Sequence, residues 1–397
     1  MNNMFSITEM KPFLQETWTK SGFASFTEIQ QTSIPLILEG KDVIAESPTG
    51  TGKTLTYLLP VLERMDPDRK DIQAVILAPT RELVMQIQGE IQKFAEKGGI
   101  RGIALVGGAD IKRQIEKLKT HPQIVAGTPA RIQELIKVKK MKMHEVKTIV
   151  VDEADQMMEM HLLDTIKEVV KTTLKDRQLL FFSATVTDRV EQTGKHMMKQ
   201  PEVIRVSRAN LAFSPVEHIY LICEKREKID LLRRVVKMGA SKAIAFVNGT
   251  SDFNELAAKL EYKGIPVQVL HGERSKTERE TIMKNFRAGK FPLLLATDLA
   301  ARGLDIEGIT HVIHFDAPDT PDQYIHRSGR TGRMGAAGTV ISIITENQEG
   351  LLKKFGKHLG IPIRKKTLFK GEFVDQKPFQ AKPKSNGLAK TGKKNSR

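Results

Sequence analysis

Asp42-Val43-Ile44-Ala45-Glu46-Ser47-Pro48-Thr49-Gly50-Thr51-Gly52-Lys53-Thr54-Leu55 is the stretch whose reading decides the fold. A short apolar run enters a glycine-containing loop, and the helical Leu55-Thr56-Tyr57-Leu58-Leu59 follows. A strand, such a loop and a helix start aim successive backbone N–H groups at one point, where a phosphate can sit. Lys53 adds a positive charge near the β/γ-phosphates of a nucleotide, and the Thr54 hydroxyl suits Mg²⁺. A chance Gly-x-Gly would be only a turn, but Gly-x-Gly-Lys-Thr after a strand reads as a phosphate loop. Ser47 stands where the usual pattern opens with Gly, and the cradle is read as Ser47, Pro48, Thr49, Gly50, Thr51, Gly52, Lys53 and Thr54.

Outward from this loop the chain keeps one rhythm. Short, apolar-throughout runs at 42–45, 74–78, 103–106, 124–126, 148–151 and 179–182 alternate with helix-length amphipathic segments. This predicts a parallel sheet covered on both faces. The rhythm resumes at 218–222, 243–247, 267–270, 293–296, 312–315 and 339–344. Two α/β domains in series are therefore expected, at 1–206 and 216–362, joined by an aperiodic linker at 207–215. Residues 363–397, rich in Lys, Gly, Pro, Ser and Asn, read as a disordered basic tail.

Composition narrows the class. The 397 residues are 40% hydrophobic and 28% charged, the balance of a globular protein. No apolar stretch approaches the roughly 18 residues needed to cross a bilayer, and the first residues lack the pattern of a secretory signal. A single cysteine, Cys223, excludes an internal disulfide and cysteine-cluster metal sites, so a cytoplasmic setting and no membrane partner are expected. The net charge is +16, of which +9 falls in residues 363–397, with eleven basic and two acidic side chains. A solubilising tail is the plain reading; such clustering favours nucleic acid over it, because phosphate attraction rewards concentrated charge.

A second cluster lies at Thr148-Ile149-Val150-Val151-Asp152-Glu153-Ala154-Asp155. Alone, the carboxylates equally suit an acidic helix start stabilised by the helix dipole. At the tip of a parallel strand expected beside the phosphate-loop strand, Asp152 becomes a carboxylate for Mg²⁺ through water and Glu153 the base that orients and deprotonates an attacking water.

Asp-Glu-Ala-Asp is the signature of the DEAD-box RNA helicases, and the chain resembles that family from about Phe5 to about Ile361. The resemblance implies two tandem RecA-like parallel-sheet domains, ATP and Mg²⁺ as cofactors, and RNA-stimulated ATP hydrolysis. Gly22-Phe23 and Ile29-Gln30 resemble the Q motif, in which Phe23 stacks on adenine and Gln30 reads its edge; a bidentate amide suits that base. The family's Pro-Thr before the Gln is Phe26-Thr27 here. Pro79-Thr80-Arg81, Gly107-Gly108 and Thr128-Pro129-Ala130-Arg131 are, as isolated motifs, caps or turns. The family resemblance makes Pro79, Thr80, Arg81, Gly108, Thr128 and Arg131 RNA contacts, with Ala130 replacing a Gly. Ser183-Ala184-Thr185, by itself a helix cap, matches the motif that couples ATP state to the groove, through Ser183, Thr185 and Asp155. In the second domain, Thr297 is expected near RNA and Asp305 near the ribose. His326-Arg327-Ser328-Gly329-Arg330-Thr331-Gly332-Arg333 places three arginines at spacing three, which would repel unless they face an anion. By resemblance, Arg330 and Arg333 reach the γ-phosphate as arginine fingers and Arg327 takes part in coupling. Lys276 stands where the family commonly has Gln.

The expected function is thus an ATP-dependent RNA helicase that closes on single-stranded RNA and opens short duplexes or remodels ribonucleoproteins, as a monomer. Roles in ribosome assembly or RNA turnover fit, with the tail anchoring ribosomal or other structured RNA. A DNA helicase of the wider superfamily would not be expected to combine Gln30 with Asp-Glu-Ala-Asp. A non-catalytic RNA clamp would have lost one of Lys53, Glu153, Arg330 or Arg333, and all four are present.

Overall fold

The computed structural model describes residues 5–47, 50–206, 216–249, 253–271, 274–301, 306, 308–332 and 336–375. The expected linker at 207–215 and residues 376–397 lie outside these, as do Pro48, Thr49, Asp305 and Arg333.

In the first lobe the strands are β1 (Val43–Glu46), β2 (Ala74–Leu77), β3 (Gly102–Leu105), β4 (Ile124–Gly127), β5 (Thr148–Asp152), β6 (Gln178–Ser183) and β7 (Glu202–Arg205). All pair in parallel, in the order β3-β4-β2-β5-β6-β1-β7. The strands alternate sides: Val43 and Ala45 enter the core on one face, and Ile44 enters the core on the other. Both faces are dry, which is why these strands are apolar throughout. Strand β7 was not expected; Glu-Val-Ile-Arg at a sheet edge buries only Ile204 and gives little hydrophobic signal.

The second lobe contains β8 (Val216–Ile222), β9 (Ala243–Phe246), β10 (Val267–Leu270), β11 (Leu293–Ala296), β12 (His311–His314), β13 (Gly338–Ile344), β14 (Arg364–Phe369) and β15 (Glu372–Asp375). Their order is β10-β11-β9-β12-β13-β8-β14-β15. Its first six strands repeat the first lobe's order member for member, so the duplication inferred from rhythm extends to topology.

The expectation of disorder from residue 363 onward is corrected here. Strand β14 joins the edge of the sheet in parallel with β8, through Arg364↔Ile219 and Lys365↔Tyr220, then turns back antiparallel into β15. The turn residues Lys370 and Gly371 both have positive φ, 49° and 85°, as a tight two-residue hairpin requires. Leu368 and Phe373 pair across the hairpin and pack against the second-lobe core, and on the same face Lys366 pairs with Asp375 at 2.8 Å. One apolar pair on the core, with the neighbouring charges paired to each other, lets a basic segment fold onto an edge. The second domain therefore extends to Asp375 rather than ending at 362.

Candidate functional site

In an open parallel sheet, functional side chains collect beyond the carboxyl ends of the strands. Strand β1 delivers Ser47, β2 delivers Pro79 and Thr80, β4 delivers Thr128, β5 delivers Asp152 and Glu153, and β6 delivers Ser183. One expectation changes: β5 does not adjoin β1, because β6 lies between them, with Glu46↔Ser183 and Asp152↔Phe182 in register.

In the phosphate loop, Gly50 and Gly52 hold φ of 87° and 91°, and Gly52 caps the helix Lys53–Glu63. The left-handed backbone favours glycine at 52, and a Cβ there would meet the Gln30 amide nitrogen at 2.5 Å and displace that side chain. The buried Ser47 hydroxyl lies 2.5 Å from that of Thr51, so the serine in place of the first glycine ties the loop to itself. Gln30 donates to the Gly52 carbonyl (3.2 Å) and accepts from Thr27 N–H (2.9 Å). Its amide thus steadies the loop and retains one donor and one acceptor position for a base edge. Half-buried Phe23 packs on Trp18, centroids 4.8 Å apart, with the Lys93 ammonium 5.7 Å from its ring.

Lys53 is buried and lies 3.3 Å from Glu153 Oε1. Glu153 has left-handed backbone, φ 52°, at the start of the helix Ala154–Glu159. A non-glycine residue there carries strain of about 1–3 kcal/mol. Its Oε2 is buried without a partner. Asp152 accepts from the Glu153 N–H at Oδ1 (3.0 Å) and from the Tyr57 hydroxyl at Oδ2 (2.9 Å). Burial, reinforced by the Glu153 charge, pushes the Asp152 carboxyl up to about 7 against the pull of Lys53. An added cation would relieve that penalty. The oxygens of Asp152 and Thr54 are the hard donors Mg²⁺ takes, and orphaned Glu153 Oε2 marks a place built for a polar occupant.

Asp155 ties three segments together. Its N–H donates to Ser183 Oγ (3.2 Å), and its Oδ2 accepts from the Thr185 N–H (3.1 Å) and hydroxyl (2.9 Å). His326 Nε2 of the second lobe stands 3.3 Å from the same oxygen, off the direction of a good hydrogen bond, so this contact is mainly ionic. Burial alone would raise the Asp155 carboxyl, but His326, Lys53 and Thr185 together hold it well below the usual range. Burial likewise opposes charge on His326, and Asp155 with Glu153 outweighs it, raising the imidazole pKa above 6.5. Oxygen and nitrogen atoms of Glu153, Asp155 and His326 all lie within 4.8 Å of one another. A second bridge joins Arg279 to Glu82 at 2.9 Å.

The arginine segment divides. Arg327 is fully buried inside the second lobe, bound to both Asp298 oxygens (2.7 and 2.6 Å), Asn248 Oδ1 (2.6 Å) and the Asp316 carbonyl (2.8 Å). The anion it faces is Asp298, and its neighbour His326 is the one that meets Asp155 of the first lobe. Arg330 is buried, donates to the His326 carbonyl (3.2 Å), and lines a cavity with His326 and the first lobe's Glu159.

The expected groove residues largely build one another. Thr80 caps its helix by accepting from the Leu83 N–H, and Thr128 accepts from the Gly107 N–H (3.3 Å). Arg131 donates twice to the Ala109 carbonyl, 3.1 Å each, fixing the Gly-Gly turn. Gly108 has φ +66°, and any Cβ there would collide with the Arg81 guanidinium. Ala130 lies in the helix Pro129–Lys137, where no glycine conformation is needed. In the second lobe Thr297 Oγ1 accepts from the Ala300 N–H (3.2 Å), and Lys276 opens a helix capped by Ser275. His326, Tyr57, Arg279 and Glu82 were not singled out from sequence; their partners are remote in the chain, and only His326 had a signal, its place beside the arginines.

Residues 27–193 match the family described as DEAD/DEAH box helicase, and residues 227–335 match the helicase conserved C-terminal domain. The chain is 55% identical over 391 residues to the DEAD-box ATP-dependent RNA helicase CshC of Bacillus cereus, covering 98% of this chain and 100% of that protein. It is 51% identical over 351 residues to the probable ATP-dependent RNA helicase YfmL of Bacillus subtilis, covering 88% and 93%. Among solved structures, S. cerevisiae Dbp5 bound to RNA and ADP BeF3 matches with a TM-score of 0.83 at 31% identity, covering 91% of this chain and 95% of that one.

Proposed function

The chain belongs to the DEAD/DEAH box helicase family, and we propose that it couples ATP hydrolysis to closure of its lobes on RNA through the seam at Asp155 and His326. It is an ATP-dependent RNA helicase of the DEAD-box type. In this reading the loop Ser47–Thr54 cradles the phosphates, and Lys53 counters their charge. Phe23 and Gln30 hold adenine. Thr54 and Asp152 would hold Mg²⁺, which when bound neutralises charge on the phosphate oxygens.

Glu153 accepts the proton of the attacking water; its salt link to Lys53 and its fixed left-handed backbone keep the carboxylate aimed. Arg330 serves the γ-phosphate from the second lobe, and Arg333 and Asp305 keep the finger and ribose roles that the family motifs give them. RNA crosses Pro79, Thr80, Arg81, Gly108, Thr128, Arg131 and Thr297, which also shape the groove by capping and bracing its turns. Ser183, Thr185 and Asp155 carry nucleotide state to His326. Clamping a strand in a conformation that A-form pairing cannot share opens short duplexes locally. The basic residues after Asp375 add sequence-blind contacts to structured RNA, ribosomal RNA included, and the protein acts as a cytoplasmic monomer. No helix among the described residues is long and apolar enough to cross a membrane.

The observation that carries this reading is the meeting of Glu153 and Asp155 with His326 across the lobes. Its test is ATP turnover with RNA, with DNA and with neither, for wild type and Glu153→Gln. RNA should stimulate and DNA should not; Glu153→Gln should bind ATP and RNA yet turn over at least about 100-fold more slowly. Near wild-type hydrolysis by Glu153→Gln would remove the general-base role.

A further inference from the structure

We infer that Tyr57 is a positioning residue for the metal carboxylate: its hydroxyl fixes Asp152, and with it Thr54, in the arrangement that receives Mg²⁺. This rests on the assignment of Thr54 and Asp152 to Mg²⁺ made above. Tyr57 lies one turn into the helix that follows the phosphate loop, three residues beyond Thr54. Strand β5 is separated from β1 by β6, so Asp152 and the loop share no strand pairing. Tyr57 spans that gap. Its ring packs edge-on against Phe182 of the intervening strand, centroids 5.2 Å apart, and its hydroxyl donates to Asp152 Oδ2 at 2.9 Å. The same hydroxyl interacts with the Thr54 side chain.

Two donors therefore hold Asp152: the backbone N–H of Glu153 on Oδ1 and Tyr57 on Oδ2. The first comes from the strand-to-helix turn and would leave the carboxylate free to swing about one bond. The second removes that freedom. Both Tyr57 and Asp152 are buried, so water cannot replace the hydroxyl without opening the core. Partners that orient metal ligands in this way commonly change metal affinity by 10–100-fold when removed.

A phenylalanine would fill the same volume and keep the Phe182 contact, which makes Tyr57→Phe a clean subtraction of the hydroxyl. The plain alternative is a core tyrosine whose hydroxyl merely found an acceptor. That role would appear in thermal stability and nowhere else.

The experiment measures Mn²⁺ affinity of the ADP-bound full-length protein by electron paramagnetic resonance, together with the Mg²⁺ concentration giving half-maximal RNA-stimulated ATPase. Tyr57→Phe should weaken Mn²⁺ binding by about 10-fold or more and raise the Mg²⁺ requirement in parallel. Excess Mg²⁺ should restore most of kcat, and ADP affinity in EDTA should not change. Asp152→Asn serves as the reference. Added to it, Tyr57→Phe should have no further effect on Mn²⁺ affinity, since the tyrosine acts through the carboxylate. Unchanged Mn²⁺ affinity in Tyr57→Phe, with Asp152→Asn strongly impaired, would overturn the inference alone. Unchanged affinity in Asp152→Asn would instead overturn the metal assignment beneath it.

Discussion

Cutting the chain after Pro362 and cutting it after Asp375 should give different proteins, although both remove what reads in sequence as one basic tail. The shorter deletion takes away residues 376–397, which carry seven basic and no acidic side chains. If all seven meet phosphates of a single strand, the slope of log affinity against log salt should flatten by up to about 5. RNA needed for half-maximal ATPase should rise, turnover at saturating RNA should hold, and thermal stability should stay put. The longer deletion also strips β14 from β8 and lifts half-buried Leu368 and Phe373 off the core. At about 1 kcal/mol for each half-buried side chain, plus the lost pairing, the second lobe should lose roughly 2–3 kcal/mol. For a lobe of this size that lowers Tm by about 5–10 °C. Scanning calorimetry and RNA-stimulated ATPase at two salt concentrations decide the matter. Equal melting of the two truncations would refute the docking of the hairpin. An unchanged RNA dependence after the shorter cut would leave its lysines a solubility device.

Gln30→Ala should cut discrimination of ATP over GTP by roughly 1–3 kcal/mol, read as the ratio of kcat/KM values; because Gln30 also holds the Gly52 carbonyl, KM for both nucleotides should rise. Protonated His326 should favour closure: its pKa is raised in the closed seam above the free value of 6.5, so the contribution is full below 6.5 and lost as pH climbs through the raised value. The seam facing His326 also contains Asp155, Glu153 and Lys53. RNA affinity in the presence of a non-hydrolysable ATP analogue should therefore weaken with rising pH, and His326→Gln should flatten that profile; an equal slope in the variant would refute the coupling. Glu82→Arg should weaken the same closed complex by about 1 kcal/mol through repulsion of Arg279, and adding Arg279→Glu should recover it in a fluorescence anisotropy titration.

The places of Lys53, Asp152 and Glu153 at strand ends were legible in sequence because the signal is local: a loop between a strand and a helix, and carboxylates at a strand tip. Strand order was not legible. Nothing in the spacing of 43–46 and 148–152 says that β6 comes between, so neither Tyr57 nor its partner could be paired in advance. The two ends of the seam, Asp155 and His326, lie in different lobes, and only folding sets their separation. Strand β7 escaped because an edge strand buries one residue in four. The hairpin β14–β15 left one signal, Lys370-Gly371 between alternating residues, which its charge concealed. Arg327 was given a coupling role by resemblance; that it is itself buried, bound to Asp298 and Asn248, depends on contacts remote in the chain.

The shared strand order of the two sheets has a consequence for how a single engine arises from a doubled frame. Helices beginning at Lys53 and Lys228 follow the corresponding strands β1 and β8. Each opening lysine reaches a carboxylate beyond the corresponding strands β5 and β12: Glu153 at 3.3 Å in one lobe, Asp316 at 3.3 Å in the other. The second lobe, however, passes from strand to helix through Cys223-Glu224-Lys225-Arg226-Glu227, with no glycine to wrap a phosphate. Its lysine also rests on the Phe315 ring and carbonyl, a purely internal brace. Two copies of one ion pair have thus parted company. One stands at the end of a phosphate loop, and the other is an internal strut that ties a helix start to the end of β12.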